Sequence, residues 1–230
     1  METIYRDCIQ ELIDNYRFDE FLNCDLSLRQ WTEEVNDKLY DFGYFWATGA
    51  CRCVISREDW SFVFKFTYDT DDCVNYCENE RYLYEKAKER GIEKAFAACE
   101  YVGKFGAYDI YVMDKCSCNE DSMENASWEY QFKRFCEEEG LDPRSDEAFD
   151  EFSDTCCECY EQECMLELAS AHWEKAMFHA VKDFIADFGI NDCHCGNWGW
   201  HKEDLVIVDY AGYGTGARMI RDKRIAEGRI

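Results

Sequence analysis

Two aspartates and an asparagine lie close together near the C-terminal end of the sequence. Asp192 is followed five residues later by Asn197, and Asp209 ends the apolar run Leu-Val-Ile-Val-Asp. Carboxylate and amide oxygens at such offsets can hold a Mg²⁺ ion on a phosphate group and orient a hydroxyl beside it. The spacing therefore indicates phosphoryl transfer, and the upstream chain must supply a cation for the phosphate oxygens.

A lysine on a predicted strand is the candidate for that cation. Aromatic residues alternate with other residues at Trp60, Phe62, Phe64 and Phe66. This period of two predicts a strand with one aromatic, buried face, and its other face presents Val63 and Lys65. Taken alone, a lysine here would be an exposed charge on a half-buried sheet.

The elements around this strand are predicted from period and turn residues. Residues 42–56 indicate two strands joined at Thr48-Gly49, and residues 75–90 indicate a helix ending at Gly91. Glu80, Tyr84 and Ala87 share one face of that helix, because they are four and three residues apart. Further strands are predicted at 98–102 and 109–113, joined by a turn at 103–106.

These features together resemble the protein-kinase-like fold, and look most like the compact early serine/threonine kinases of short-tailed lytic phages. Those kinases share an Asp-x-His-x-Gly-Asn loop followed by an apolar strand ending in Asp, which here is 192–209. The resemblance covers about residues 42–215. It implies that Asp192 is the catalytic aspartate that accepts or orients the substrate hydroxyl, and that Asn197 and Asp209 bind Mg²⁺.

The same resemblance assigns the upstream residues to ATP binding and catalysis. Lys65 would contact the α- and β-phosphates, Val63 would lie over the adenine, and Glu80 would pair with Lys65. Glu78 and Glu85 remain alternative partners for the lysine.

The predicted phosphate loop and hinge complete the nucleotide site. Residues 47–54 keep only Gly49 and Val54 of the pattern Gly-x-Gly-x-x-Gly-x-Val, so we expect a stiffer loop. Backbone groups near Asp114 and Cys116 would hydrogen-bond the adenine.

The chain departs from the kinase pattern in three places. Ile190-Asn191-Asp192 replaces His-Arg-Asp, and Asp209-Tyr-Ala-Gly replaces Asp-Phe-Gly. Only fourteen residues follow Gly216, so no Ala-Pro-Glu segment is expected. We interpret His194 as a structural hydrogen-bonding residue and assign no role to Cys193 or Cys195.

Composition restricts the partners. The 230 residues carry a formal net charge of −25, which disfavours nucleic acid and anionic membranes and leaves open a basic protein partner or mimicry of nucleic acid by an acidic decoy.

Sixteen cysteines without an export signal favour reduced thiols in a cytoplasm over a disulfide scaffold, and buried thiols over a structural metal site. The sequence contains no run of eighteen apolar residues, so we expect no transmembrane helix.

The predicted fold class is α+β, a two-lobed protein-kinase-like fold with an antiparallel-sheet N-lobe and a truncated, mainly helical C-lobe. The predicted domains are a helical extension at 1–40, an N-lobe at 41–116, and a reduced C-lobe at 117–230. Within the last, an acidic insertion at 119–163 has sixteen Asp and Glu and is expected to form two short helices. One amphipathic helix at 165–188, a hairpin at 197–209 and a basic helix from Ala217 are also predicted.

The predicted function is an ATP- and Mg²⁺-dependent serine/threonine protein kinase, acting on a basic protein in a host cytoplasm if the chain is phage-encoded. One alternative is a small-molecule kinase of the aminoglycoside- or choline-kinase kind. Another is a catalytically inactive acidic binding protein on a kinase fold. The sequence leaves the substrate and the oligomeric state open.

Overall fold

The computed structural model describes residues 2–49, 51–68, 74–117, 120–154 and 161–229. It divides into two compact units, which we describe separately. The first contains residues 1–86, 97–115 and 221–230, and the second contains 87–96 and 116–220. A five-stranded antiparallel sheet, a two-stranded sheet and helices confirm the α+β class.

The first unit is built on the five-stranded sheet, whose strand order is β1-β2-β3-β5-β4. All neighbouring pairs are antiparallel, and the strands are β1 Tyr44–Thr48, β2 Arg52–Arg57, β3 Phe62–Thr67, β4 Cys99–Phe105 and β5 Tyr108–Asp114. The predicted strands are confirmed, although the buried residues of β3 do not alternate, because both faces of this strand are covered.

Three N-terminal helices cover the aromatic face of this sheet, which confirms the helical prediction for residues 1–40. They are α1 Glu2–Tyr16, α2 Phe18–Leu22 and α3 Leu28–Asp41. A capping box between Ser27 and Gln30 starts α3. Burying each large apolar side chain contributes about 1.5–3 kcal/mol relative to exposure. The core includes Ile9, Leu12, Phe18, Phe21, Trp31, Leu39, Phe64 and Phe66.

The opposite face of the sheet contacts a fourth helix, α4 (Tyr76–Arg90), as predicted for residues 75–90. The Asn75 Oδ1 accepts a hydrogen bond from the Glu78 N–H at 3.0 Å and so caps the N-terminal end of α4. The Tyr111 hydroxyl on β5 donates to Glu78 at 2.9 Å. These contacts fix α4 against the polar side of the sheet.

The predicted turn at residues 103–106 is corrected. β4 continues through Gly103, which lies at a β-bulge, and the chain reverses at Gly106-Ala107. Gly106 has a φ of +56°, and a Cβ there would lie 2.2 Å from the Leu22 carbonyl oxygen. The reversal therefore occurs where the backbone approaches α2 most closely, which only glycine permits.

The second unit contains helices and one hairpin. Its helices are α5 Glu120–Glu139, α6 Asp146–Asp154, α7 Glu161–Ala169, α8 Lys175–Phe188 and the start of α9 Thr215–Ala226. The hairpin pairs β6 (Trp198–His201) with β7 (Asp204–Ile207), as predicted. Helix α9 begins two residues before the predicted start at Ala217.

Two helix predictions in this unit were wrong. Residues 165–188 do not form one helix, since the chain turns at 170–174 between α7 and α8. Trp173 is buried at this break, and its indole N–H donates to the Leu205 carbonyl oxygen at 2.9 Å. The acidic block is also not two short helices, because α5 alone has 20 residues. In the described parts of the chain, no helix is both long and apolar enough to span a membrane.

Candidate active site

Asp192 lies in the loop that follows α8. Gly189 ends the helix in the left-handed conformation, at φ 68°, and the Ile190 N–H returns to the Ile185 carbonyl at 3.0 Å. Ile190 is buried, whereas the Asp192 side chain is partly exposed. The chain thus anchors one residue in the core and presents the carboxylate two residues later.

Asn191 fixes this loop to the segment after Asp209, a contact that sequence reasoning missed. Its Oδ1 accepts from the Tyr213 N–H at 3.1 Å, and its Nδ2 donates to the Tyr213 carbonyl at 3.3 Å. A Cβ on Gly216 would lie 2.2 Å from the same Oδ1, so only glycine fits there. The Asn191 that departs from the kinase pattern therefore has a structural role of its own.

The β6–β7 hairpin brings Asn197 next to the segment that contains Asp209. Trp198 pairs with Ile207, and beyond that pair the Val208 N–H donates to the Asn197 carbonyl at 2.8 Å. The Asn197 Nδ2 donates to the Asp192 carbonyl oxygen at 2.6 Å, and Asn197 is only 6% exposed. The predicted residues at 192, 197 and 209 therefore come together within the second unit.

The buried thiol of Cys193 lies close enough to the carboxylates of Asp192 and Asp209 for both charges to affect its pKa. Burial, together with the smaller effect of the negative charges of Asp192 and Asp209, raises its pKa from 9.0 to about 12. The thiol stays protonated at neutral pH, which excludes it as a nucleophile there.

The hydrogen bonding of His194 agrees with the structural role predicted for it. The His194 Nδ1 accepts from the Gly196 N–H at 3.1 Å and caps the short 3₁₀ turn Cys195–Asn197. Its Nε2 lies 3.8 Å from the Asp192 Oδ1, which is too long for a hydrogen bond.

The donor set of Asn197 and Asp209 fits Mg²⁺. Because the Asn197 amide nitrogen is bonded to the Asp192 carbonyl, its Oδ1 is the amide atom that remains for a ligand. Asp209 supplies a carboxylate, and Mg²⁺ prefers such hard oxygen ligands. Among the residues that the structure describes, no three or more His, Cys, Asp or Glu side chains form a metal-binding group of their own.

Lys65 and Glu80 form the centre of the polar face in the first unit. The Lys65 Nζ lies 2.7 Å from the Glu80 Oε1, and the two residues are 5% and 0% exposed. The predicted partnership is therefore present. The alternatives have other partners: Glu78 contacts Arg81 and Tyr111, and Glu85 contacts Arg81 and Arg229.

Arg52 is a second cation on Glu80 that the sequence reasoning did not assign. Its Nη1 lies 2.9 Å from the Glu80 Oε1, and its guanidinium lies 5.4 Å from the centre of the Tyr76 ring. Arg52 is the first residue of β2 and lies within residues 47–54, the predicted phosphate loop. Two cations therefore share one buried carboxylate oxygen.

The two valines of the predicted nucleotide site, one from the phosphate loop and one predicted to lie over the adenine, lie on this same face. Val54 pairs with Lys65 across β2 and β3, and Val63 pairs with Met113 across β3 and β5. Both valines are half-buried. Gly49 lies in the β1–β2 turn, where a Cβ would have open space, so the fold itself does not require glycine there.

The predicted hinge residues are at the end of β5. The Asp114 N–H donates to the Ala98 carbonyl at 3.1 Å, and the Lys115 N–H donates to the Ser61 carbonyl at 3.0 Å. These two backbone donors thus already bond to carbonyls of the first unit. Asp114 belongs to the first unit, and the half-buried Cys116 belongs to the second.

A surface pocket of about 510 Å³ in the first unit contains none of the predicted site residues. Its one basic side chain, Arg57, already pairs with Asp59 at 2.6 Å and Glu11 at 2.8 Å. We therefore do not place the active site there.

Comparisons with known proteins add no identification. No protein-family model matches the chain, and neither the curated proteins nor the solved structures include a match. The geometry of the two residue groups is therefore the basis for the functional assignment.

Proposed function

We propose that the protein is an ATP- and Mg²⁺-dependent phosphotransferase, acting as a serine/threonine protein kinase on a basic host protein. The observation that carries the proposal is the hairpin-built group of Asp192, Asn197 and Asp209. A carboxylate for the hydroxyl and two hard oxygen ligands are what phosphoryl transfer asks of a protein.

In the proposed reaction, the oxygen of a serine or threonine hydroxyl attacks the γ-phosphorus of ATP. A bond forms between these atoms while the bond from the γ-phosphorus to the β,γ-bridging oxygen breaks, and ADP leaves. Asp192 accepts the hydroxyl proton. Asn197 and Asp209 hold Mg²⁺, which neutralises charge on the phosphate oxygens when bound.

Lys65 donates hydrogen bonds to the α- and β-phosphates in this proposal, and Glu80 holds the lysine in place. Val54 and Val63 supply apolar contact for the adenine, near Asp114 and Cys116. A buried ion pair lowers the stability of a protein unless both charges are well hydrogen-bonded, because each charge loses its hydration. In the proposed function, the Lys65–Glu80 pair serves to bind phosphate.

The acidic surface of α5 and α6 supports a basic protein substrate. Exposed aromatic side chains also lie there at Trp128 and Phe149, whose ring centres are 5.8 Å apart. Complementary charge accelerates encounter with a basic partner. A small-molecule acceptor of the aminoglycoside or choline kind is the alternative that the test must separate.

The test measures MgATP binding and phosphate transfer. We expect MgATP to raise the melting temperature of the wild-type chain, and labelled γ-phosphate to appear on a basic protein but not on aminoglycosides or choline. Asp192→Ala should abolish transfer and keep nucleotide binding. Asp209→Ala should weaken binding of MgATP itself.

Asp204→Ala is the matched control, since Asp204 is an exposed aspartate on the same hairpin. It should retain transfer. If both Asp192→Ala and Asp209→Ala retain full activity, the site assignment is wrong. If MgATP does not stabilise the wild-type chain, the proposed catalysis fails and an inactive acidic binding protein becomes the better interpretation.

A further inference from the structure

The C-terminal segment, residues 221–229, lies along the helix that carries Glu80. The Glu227 carboxylate accepts from the Tyr82 hydroxyl at 3.1 Å and lies 3.0 Å from the Lys86 Nζ. The Arg229 Nη1 lies 2.6 Å from Glu85. The segment thus bonds to α4 over more than one turn, although 145 residues separate Tyr82 from Glu227 in sequence.

Arg224 is the buried member of this contact. It is 7% exposed, its Nη1 lies 3.5 Å from the Glu78 Oε1, and burial lowers the pKa of its guanidinium. A cation this far from water is held in place by its packing as well as by its charge. On the outer part of the contact, the hydrogen bond from Lys86 lowers the pKa of Glu227.

Helix geometry separates these contacts from the Glu80 side chain. Glu78, Tyr82 and Glu85 are four and three residues apart and share one face of α4. Glu80 is two residues from Glu78 and from Tyr82, so it projects to the other side, where it contacts Lys65 and Arg52. Residues 76–86 of α4 are therefore held between the sheet and the C-terminal segment, all within the first unit.

We propose that the C-terminal segment sets the position of α4, and that Arg224 and Glu227 are positioning residues for the Glu80–Lys65 pair. The inference rests on the proposed phosphotransfer function and deepens it. Loss of the contact lets α4 move away from the sheet, and Glu80 then no longer holds Lys65 at the phosphate. The cost appears in turnover, since Lys65 acts on charge in the transition state.

The experiment uses the full chain with Arg224→Gln, Arg224→Lys and Glu227→Gln, assayed well below the melting temperature. We expect Arg224→Gln and Glu227→Gln to lower kcat about tenfold and to leave the KM for ATP within about twofold. Arg224→Lys keeps the charge and should restore most of the activity. Arg29→Gln removes the same charge from an exposed pair with Glu33 on α3 and should change neither constant.

A double-mutant cycle shows whether Arg224 acts through Glu80. In a Glu80→Gln background, Arg224→Gln should lower kcat no further, because the interaction it positions is already gone. A lower melting temperature with unchanged kcat in Arg224→Gln would mean a purely structural contact and would overturn the inference. Additive losses in the cycle would also overturn it.

Hydrogen exchange of the α4 amides separates this inference from the proposed function. We expect faster exchange at residues 76–86 in Arg224→Gln and Glu227→Gln than in Arg29→Gln. If exchange is unchanged, the positioning fails even where the wild type is an active kinase. If exchange accelerates but the wild type neither binds MgATP nor transfers phosphate, the phosphotransfer function fails and the role of the segment in catalysis fails with it.

Discussion

Glu80 is the single residue on which the buried charges of the first unit depend. It is fully buried, and its Oε1 accepts from both Lys65 and Arg52 at 2.7 and 2.9 Å. Removing one member of a buried ion pair leaves an uncompensated charge, which costs more than the intact pair contributes. The residue therefore matters for stability before any ligand binds.

Glu80→Gln should lower the free energy of unfolding by about 3 kcal/mol, because two cations lose their shared carboxylate. Urea denaturation at neutral pH measures the change. Glu33→Gln, in an exposed pair with Arg29, is the control and should cost less than about 0.5 kcal/mol. Equal effects in the two variants would show that the buried triad is not a stabilising centre.

Gly216 and Asn191 form a close contact behind the loop that carries Asp192. A Cβ on Gly216 would meet Asn191 Oδ1 at 2.2 Å and the Gly189 carbonyl oxygen at 2.7 Å. Alanine is the better helix former by about 1 kcal/mol, but this clash involves backbone and is larger. Packing therefore overrides helix propensity at the second residue of α9.

Gly216→Ala should destabilise the protein by about 3 kcal/mol and lower any phosphotransfer, since Asn191 and then Asp192 must shift. Adding Asn191→Ala should recover part of the stability, because one of the two clashes disappears. Gly49→Ala, where a Cβ meets open space, is the control for stability. A Gly216→Ala variant as stable as the wild type would contradict the close contact.

At the scale of elements, regular periods were sufficient to predict the sheet and most helices. The alternation at β3, the turn at Thr48-Gly49 and the helix before Gly91 all carry local signals, and the structure confirms them. The break at 170–174 has no glycine or proline to indicate it. It depends on the hydrogen bond from Trp173 to Leu205, which lies 32 residues away.

The candidate site likewise contains residues that the sequence could predict and contacts that it could not. The sequence offsets were sufficient to predict that Asp192, Asn197 and Asp209 lie close together. These residues belong to one loop and one hairpin, and the antiparallel pairing of the hairpin brings its two ends together. The contacts of Arg52 with Glu80 and of Asn191 with Tyr213 span 28 and 22 residues. Periodicity assigns a residue to a face and not to a partner, so such pairs are visible only in the folded chain.

The aromatic face of β3 gives an element-scale prediction. Phe66 is fully buried and its ring centre lies 5.3 Å from that of Phe21 on α2. Phe66→Ala should cost about 3–5 kcal/mol, measured by urea denaturation, because it leaves a cavity between sheet and helices. Phe45→Ala on β1 is the control, since Phe45 is 42% exposed, and it should cost less than about 1 kcal/mol.

At the scale of the whole molecule, many acidic residues are concentrated in one stretch of the sequence, whereas several cysteine thiols are buried. Sixteen of the 50 acidic residues lie in the 119–163 block of the sequence. Several cysteines are instead buried, among them Cys53, Cys77, Cys99 and Cys193. Burial keeps these thiols protonated, so their contribution to the stability of the protein should be lost at alkaline pH.

The free energy of unfolding should therefore fall as the pH rises above 9. Burial raises the pKa values of Cys77 and Cys193 from 9.0 to about 12. Because these folded-state values exceed the unfolded ones, their contribution is fully present below pH 9 and is lost as the pH rises toward 12. Tyr82 acts in the same direction from its ordinary value of 10.0, since burial raises its pKa to about 12.

Urea denaturation at pH 7.5, 9 and 10.5, with reductant present, measures the loss. Alkylation with iodoacetamide in the native state at pH 8.5 tests the cause, because only thiolates react. The exposed Cys24 should be modified, whereas Cys77 and Cys193 should react only after unfolding. Constant stability over this pH range, or modification of Cys193 as fast as Cys24, would show that the thiols beside the two predicted sites are not buried in the protonated form.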